Sequence, residues 1–427
     1  MPRMSNAPAQ RPLDALSATT AATRSAPPDD RNVSTRSRAI GLIALFISTA
    51  CELSGLFLFA PLLQFTLRSL GFDSAEIGWF SATQWLGMAL AAPFSVGWVR
   101  WLGAKPALVA SSFLPWIAIL LISLSIARGH HPLLWAGLYL VAGAAATLRW
   151  IVAEATVATL APAAWRGRLV GLYATLVGAT FVIGPTLLAA IGMEGEAAAR
   201  ARWVALGLLG AGVVLTLFVP VMAPAQEDDR AVAQVGAVSA WSGLLGAFRS
   251  SPGVAVAGGI GGFFEAGLSS LLPLYGLAQG LSPTQSTLLV SASGLGSALM
   301  MLPAGLAADR WPVRRVWLFC ARINLLGCLL LPALVMWPQL QLASWGVVFV
   351  WGGAGGALYT LAMVHIGHRL QGDALVRTTS VLVLSYTLGS MCAPALGGMA
   401  LQWAHPYGLP LLLTGVALLG FRGLARP

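Results

Sequence analysis

The hydrophobic pattern of this chain is one of long apolar runs separated by short polar stretches. The runs lie at roughly 39–66, 75–99, 106–127, 132–158, 167–191 and 202–222, and again at 253–279, 284–308, 313–336, 341–366, 378–402 and 405–424. An α-helix rises about 1.5 Å per residue, so about 20 apolar residues cross a hydrocarbon core about 30 Å thick. The pattern predicts an all-α membrane protein with twelve transmembrane helices in two sixes. Ahead of them, residues 1–38 are rich in Ala, Ser, Thr and Pro, lack an apolar core of signal-peptide length, and read as a disordered cytoplasmic tail. Between the sixes, residues 223–252 carry Glu227-Asp228-Asp229, a Gly/Ala/Ser-rich stretch and Arg249. They read as a cytoplasmic linker joining an N-terminal bundle, 39–222, to a C-terminal bundle, 253–427.

Composition narrows the class. Apolar residues make up 57% of the 427 and charged residues only 9%, which excludes a set of soluble domains. A net charge of +10 would suggest nucleic acid in a soluble chain, but here the basic residues fall in alternate loops, so no nucleic-acid partner is implied. With the N-terminus inside, 19 of the 25 Lys and Arg lie in cytoplasmic segments and four (Arg68, Arg128, Arg200, Arg202) in outer loops. That bias places both termini on the cytoplasmic side of a multi-pass protein of the cytoplasmic (inner) membrane. Cys51, Cys320, Cys328 and Cys392 all lie in apolar runs, without metal or disulfide spacing, and read as packing residues. No phosphate-binding GxxxxGK[ST] occurs, so ATP is not the expected driving force.

The loop after the eighth run holds the densest charge of the second half: Gly305, Asp309-Arg310 and Arg314-Arg315. Glycine there lets two helices approach closely, the aspartate can face a helix N-terminus, and the arginines stay with water and lipid phosphate. An ordinary basic loop after a helix is the alternative. This pattern resembles the loop signature of the major facilitator superfamily, found between helices 2 and 3 and again between helices 8 and 9. Pro312 stands where that family usually has glycine, and the loop after the second run, Gly97 to Lys105, resembles a reduced copy that lacks the aspartate. The halves also resemble each other: Glu52 then Pro61 in the first run, Glu265 then Pro273 in the seventh, and Gly184-Pro185 in the fifth against Gly389 to Gly398 around Pro394 in the eleventh. The resemblance implies two six-helix bundles about a pseudo-twofold axis along the membrane normal. Arg149-Trp-Ile-Val-Ala-Glu154, Arg166-Gly-Arg-Leu169, Leu272-Pro-Leu-Tyr275, Pro303 to Arg310 and Leu384 to Ser390 are similar to the YcaD-like branch, which brings no agreed substrate. Tyr139 stands where many relatives have an arginine early in helix 4, so no relay role is carried over for it.

Ionisable residues inside spans cost free energy unless they face protein or water, which makes each a candidate site. Glu52 and Glu265 lie at matching mid-span depth, Glu52 on a face with Ser48 and Gly55 that would line a cavity between the halves. Desolvation disfavours a charged carboxylate, so protonation there can follow the pH on whichever side the cavity faces; a permanent structural pair with an arginine is the alternative. Arg149 and Arg322 are the available partners, and either could instead bind an anionic substrate or, for Arg149, snorkel to the interface. Glu154 sits close to the cytoplasmic end of its helix, where Arg166 or Arg168 could neutralise it. Trp150, Trp85 and Trp116 are deep enough to line a pocket or simply to pack. His365 and His368 have HxxH spacing without further ligands, so no metal and no cofactor is expected.

These features point to a secondary active transporter moving a small solute by alternating access, coupled to protons through Glu265 and Glu52 and complete as a monomer. The alternatives are an uncoupled facilitator or efflux protein whose glutamates bind substrate, and a transporter-like sensor. Scattered His, Ser and Asp residues argue against a membrane-embedded enzyme.

Overall fold

The computed structural model describes residues 35–126, 128–129, 131–162, 165–220, 248–249, 251–267, 269–336, 341–370, 372–404 and 407–425. The expected tail up to residue 34 and most of the linker therefore lie outside the described residues. The N-terminal half comprises α1 (Thr35–Ser69), α2 (Ser74–Ala91), α3 (Ser95–Leu102), α4 (Ala104–Ile126), α5 (Pro132–Leu160), α6 (Arg166–Ile191) and α7 (Gly195–Thr216). The C-terminal half comprises α8 (Pro252–Gly262), a π-helical turn (Phe263–Gly267), α9 (Leu272–Ala278), α10 (Pro283–Arg310), α11 (Val313–Met336), α12 (Gln341–Arg369), α13 (Gly372–Trp403) and α14 (Gly408–Ala425). They make twelve crossings, six in each half, with α1 starting and α14 ending on the same face, called here the terminal side. Among the described residues, nine helices are long and apolar enough to cross a membrane unaided. The second and seventh crossings are broken, and α11 carries Arg314, Arg315 and Arg322.

Both breaks have a local cause. Pro93 sits between α2 and α3, where its missing N–H and its restriction of the preceding residue end a helix. In the seventh crossing the chain passes from Gly261-Gly262 through the π-helical turn to Ser269-Ser270, and Pro273 opens α9 at its first turn. The continuous helix expected over 253–279 is thus a discontinuous one. Its counterpart Pro61 stays inside an unbroken α1, preceded by Leu56-Phe57-Leu58-Phe59 where Pro273 follows Gly267, Ser269 and Ser270.

The pseudo-symmetry extends to the helix ends. α2 and α10, the second crossing of each half, both start in capping boxes, Asp73 with Glu76 and Ser282 with Gln285. Lys105, at the start of α4, donates to the carbonyls of Thr216 (2.7 Å) and Leu217 (2.7 Å) at the end of α7. Arg314, at the start of α11, does the same to the Ala425 carbonyl at the end of α14. A cation at a helix C-terminus satisfies otherwise orphaned carbonyls and the helix dipole together.

The core shows how the halves meet. On the side away from the termini one continuous apolar cluster spans both, running from Leu58, Leu62 and Leu206 to Phe264, Leu289 and Leu409. On the terminal side it divides in two: Leu45, Leu108 and Leu148 in one half, Val254, Trp317 and Leu358 in the other. The halves touch through α2 against α13 and α6 against α10. A Cβ on Gly78 would stand 2.2 Å from the Pro394 carbonyl oxygen, so glycine is what permits this approach. Thr186 donates to Ser291 across the other seam at 3.0 Å. By contrast, Gly97 and Gly305, at the terminal-side ends of α3 and α10, have open space around them. The close approach expected at Gly305 is absent from this conformation, in which the two halves part toward the terminal side.

Candidate functional site

Glu52 and Arg149 are brought together inside the N-terminal half. Arg149 Nε lies 3.2 Å from Glu52 Oε2, with both residues buried. Arg149 Nη1 donates to Ser112 Oγ (2.9 Å) and Thr216 Oγ1 (3.2 Å), and Nη2 to Ser48 Oγ (2.6 Å) and Thr49 Oγ1 (3.2 Å). Ser48 in turn donates to Glu52 Oε1 at 3.3 Å. The pair is thus neutral and ringed by hydroxyls from α1, α4 and α7. Gly212 leaves room for it, since a Cβ there would stand 2.3 Å from Glu52 Cγ. The face of Ser48, Glu52 and Gly55 is therefore turned onto α7, within one bundle, and does not line the space between the halves.

Glu265 is held differently. It lies in the π-helical turn, where an extra residue per turn displaces side chains and frees backbone groups, a feature frequent at functional sites. Its Oε1 is 2.6 Å from the Ser297 hydroxyl of α10, and its Oε2 accepts from the Tyr386 hydroxyl of α13 at 3.2 Å. No ion pair to Glu265 is found among the described residues. Gly356 of α12 is tight against the carboxylate, since a Cβ there would be 3.0 Å from Oε1. A cavity of about 10 Å³, room for roughly one water, opens between Gly178 and Phe181 of α6 and Glu265, Ser269, Ser293 and Ser297 of the other half. Glu265 consequently sits at the apex of the cleft, at the level where the shared core ends.

Arg322 is no partner for it: the guanidinium is exposed and lies over the Phe421 ring of α14 at 5.8 Å. Glu154 and Trp150 are both exposed, one turn apart on α5. Tyr359 of α12 meets Tyr386 edge to face at 5.0 Å, so two aromatic rings stand beside the Glu265 carboxylate. Arg168, a possible partner for Glu154 by sequence, lies instead over Trp165 at 5.2 Å. In the loop, Asp309, Arg310, Arg314 and Arg315 are exposed, and Arg314 serves the α14 end described above.

Other candidates resolve into packing. Trp116 donates to the Leu206 carbonyl at 3.2 Å. Gly184 is pressed on the α1 backbone at Ser54, and Gly389 on the α8 backbone at Gly259, the same contact in each half. His365 lies against Trp317 at 5.1 Å, and among the described residues no cluster of three metal-ligating side chains occurs. Sequence reasoning missed Ser297, Tyr359, Tyr386 and the hydroxyl ring of Ser112 and Thr216. The available signal was scarcity: the chain has six tyrosines, and two of them converge at Glu265.

Among known proteins, the chain is 27% identical over 304 residues to an uncharacterized MFS-type transporter of Yersinia enterocolitica, covering 68% of this chain and 72% of that one. It is 27% identical over 299 residues to the uncharacterized MFS-type transporter YcaD of Salmonella arizonae, with the same coverage. Its fold is similar to that of a mutant form of the nucleoside transporter NupG, with a TM-score of 0.73 at 14% identity over 91% of this chain and all (100%) of that one. It is also similar to a D-xylose-proton symporter, with a TM-score of 0.68 at 13% identity over 92% of this chain and 97% of that one. Residues 45–287 and 254–426 both match the family model of the Major Facilitator Superfamily, and the chain belongs to that superfamily of membrane transporters, not to the enzymes.

Proposed function

We propose that this protein is a secondary active transporter of a small solute, coupled to protons through Glu265, acting as a monomer in the cytoplasmic membrane with its termini in the cytoplasm. The observation that carries the reading is the placement of Glu265: a carboxylate with hydroxyl partners and no cation, in a broken helix, at the apex of a cleft between two halves. Burying an ionised carboxylate without a counter-charge costs several kcal/mol, and a proton or a ligand cation removes that cost. Exchange of the one for the other, as the cleft faces each side in turn, would couple the two fluxes. The excess of Lys and Arg in the terminal-side segments supports the orientation. The bundles 39–222 and 253–427 are the bodies that move, the loop of Gly305, Asp309, Arg310, Arg314 and Arg315 lies where the terminal side must close, and Glu52 with Arg149 braces one body internally.

The test is a proteoliposome assay with a trapped pH dye and a panel of metabolites and organic ions. A solute-dependent pH change in wild type that disappears in Glu265→Gln and survives in Glu52→Gln is expected. Solute flux with no pH change would favour an uncoupled facilitator.

A further inference from the structure

We propose that Ser390 of α13 is a positioning residue for Glu265, clamping the π-helical turn at both ends so that the carboxylate stays aimed at Ser297 and Tyr386. This deepens the proton-coupled reading above and rests on it.

The seventh crossing lies backbone to backbone on α13. A Cβ on Gly262 would collide with the Tyr386 carbonyl, one on Gly389 with the Gly259 carbonyl, and one on Gly267 with the Ala393 side chain. Gly262 precedes the π-helical turn and Gly267 closes it, so α13 supports the turn at both ends. Ser390 faces the two ends together. Its buried hydroxyl lies 3.1 Å from the Gly262 carbonyl oxygen and 2.8 Å from the Tyr386 carbonyl oxygen of its own helix, a three-centre arrangement. Its own carbonyl oxygen stands 3.1 Å from where a Gly267 Cβ would be. That carbonyl has no N–H four residues on to bond, because residue 394 is a proline inside the helix. One turn before Ser390, Tyr386 donates to Glu265 Oε2 at 3.2 Å. A single stretch of α13 therefore holds the turn and the carboxylate that the turn carries.

The other half lacks the clamp. Four residues before Pro185 of α6, in the place that Ser390 holds before Pro394, stands Phe181. It has no hydroxyl to offer; its ring stacks on Phe57 at 4.0 Å, and α1 runs unbroken past Glu52. A π-helical turn holds one residue more than an α-helical turn and is rare without groups that keep it. Rewinding it would rotate Glu265 by up to about 100°, the angle per residue of an α-helix, and off both of its hydroxyl partners.

The closing experiment uses full-length protein in proteoliposomes, with the proton itself as the probe. Infrared difference spectra recorded against pH identify the Glu265 carboxyl as the C=O band that is lost in Glu265→Gln. Among the described residues, the titratable groups facing it are Tyr386 and, one ring behind, Tyr359, and a phenol has no C=O band. In Ser390→Ala, which shortens the side chain by one atom, the band is expected at higher frequency because the carboxyl has lost its hydroxyl partners. Its titration midpoint should be displaced by about one pH unit or more, a change of about tenfold in proton affinity. Ser385→Ala is the matched comparison, since it removes a buried hydroxyl from the same contact of α13 with α8, one that donates to the Val381 carbonyl of its own helix. It should leave band and midpoint as in wild type. A wild-type band and midpoint in Ser390→Ala, or equal displacements in the two variants, would overturn the positioning role and leave the transport reading standing. A Glu265 band that does not respond to pH in wild type would refute proton coupling through Glu265, and the positioning role with it.

Discussion

Glu52 lies in the first crossing and Glu265 in the seventh, the equivalent helices of two related halves, and they are built into opposite kinds of environment. Glu52 has a guanidinium at 3.2 Å and a ring of hydroxyls inside an unbroken bundle. Glu265 has a serine and a tyrosine, no cation among the described residues, and a helix that comes apart around it. A buried ion pair surrounded by hydroxyls costs several kcal/mol to break, while a carboxylate without a counter-charge is relieved by a proton or a cation. In the proposed cycle the carboxylate of the first crossing is a brace and that of the seventh is the responsive site.

The sharpest way to break that contrast is to remove the counter-charge. Arg149→Met should destabilise the protein by about 3–5 kcal/mol, because it leaves Glu52 buried and unpaired, and Glu52→Gln added to it should restore most of the loss. Thermal unfolding in detergent reads both. If Arg149→Met cost no more than Glu265→Gln, the brace would be no brace. Glu265→Gln should leave stability within about 1 kcal/mol, since a glutamine keeps partners in Ser297 and Tyr386.

A smaller effect is expected where the halves touch. Gly78→Ala places a methyl group against the Pro394 carbonyl and should cost about 1–3 kcal/mol of the sealed far side. It should shift the population away from this conformation, seen as raised cysteine accessibility at that seam. Gly305→Ala, in open space here, should leave unfolding unchanged and slow transport only, which separates a closing surface from a packed one. An effect comparable to that of Gly78→Ala should come from Lys105→Met, about 1.5–3 kcal/mol at most for its charged hydrogen bonds to the α7 carbonyls, diminished by the water available at a helix end.

Much of the fold was legible because lipid demands it: each crossing must be long and apolar, and the basic residues must gather on one side. The breaks were less legible. Pro61 and Pro273 look equivalent in sequence, and only the glycines and serines around Pro273 distinguish a helix that parts from one that absorbs its proline. Site candidates were found by charge, which located Glu52, Arg149, Glu154 and Glu265 but could not pair them. Pairing depends on which faces of α1, α5 and α7 meet, and a helix that is apolar all round gives no sign of which face that is. The face bearing Glu52 was expected toward the cleft and is turned onto α7 because Gly212 makes space there. Tyr359 and Tyr386 escaped notice for a related reason, since a tyrosine in a span reads as packing until a carboxylate is placed beside it.

The most direct test of the contrast is the distance between spin labels on Trp165→Cys and Trp311→Cys, exposed positions just outside the terminal-side ends of α6 and α10, with the four native cysteines replaced. Two distance populations are expected in wild type, with Glu265→Gln enriching the shorter one because closing over an ionised carboxylate without a counter-charge costs free energy, and Glu52→Gln leaving the balance unchanged. Equal shifts from both substitutions, or from Glu52→Gln alone, would contradict the account.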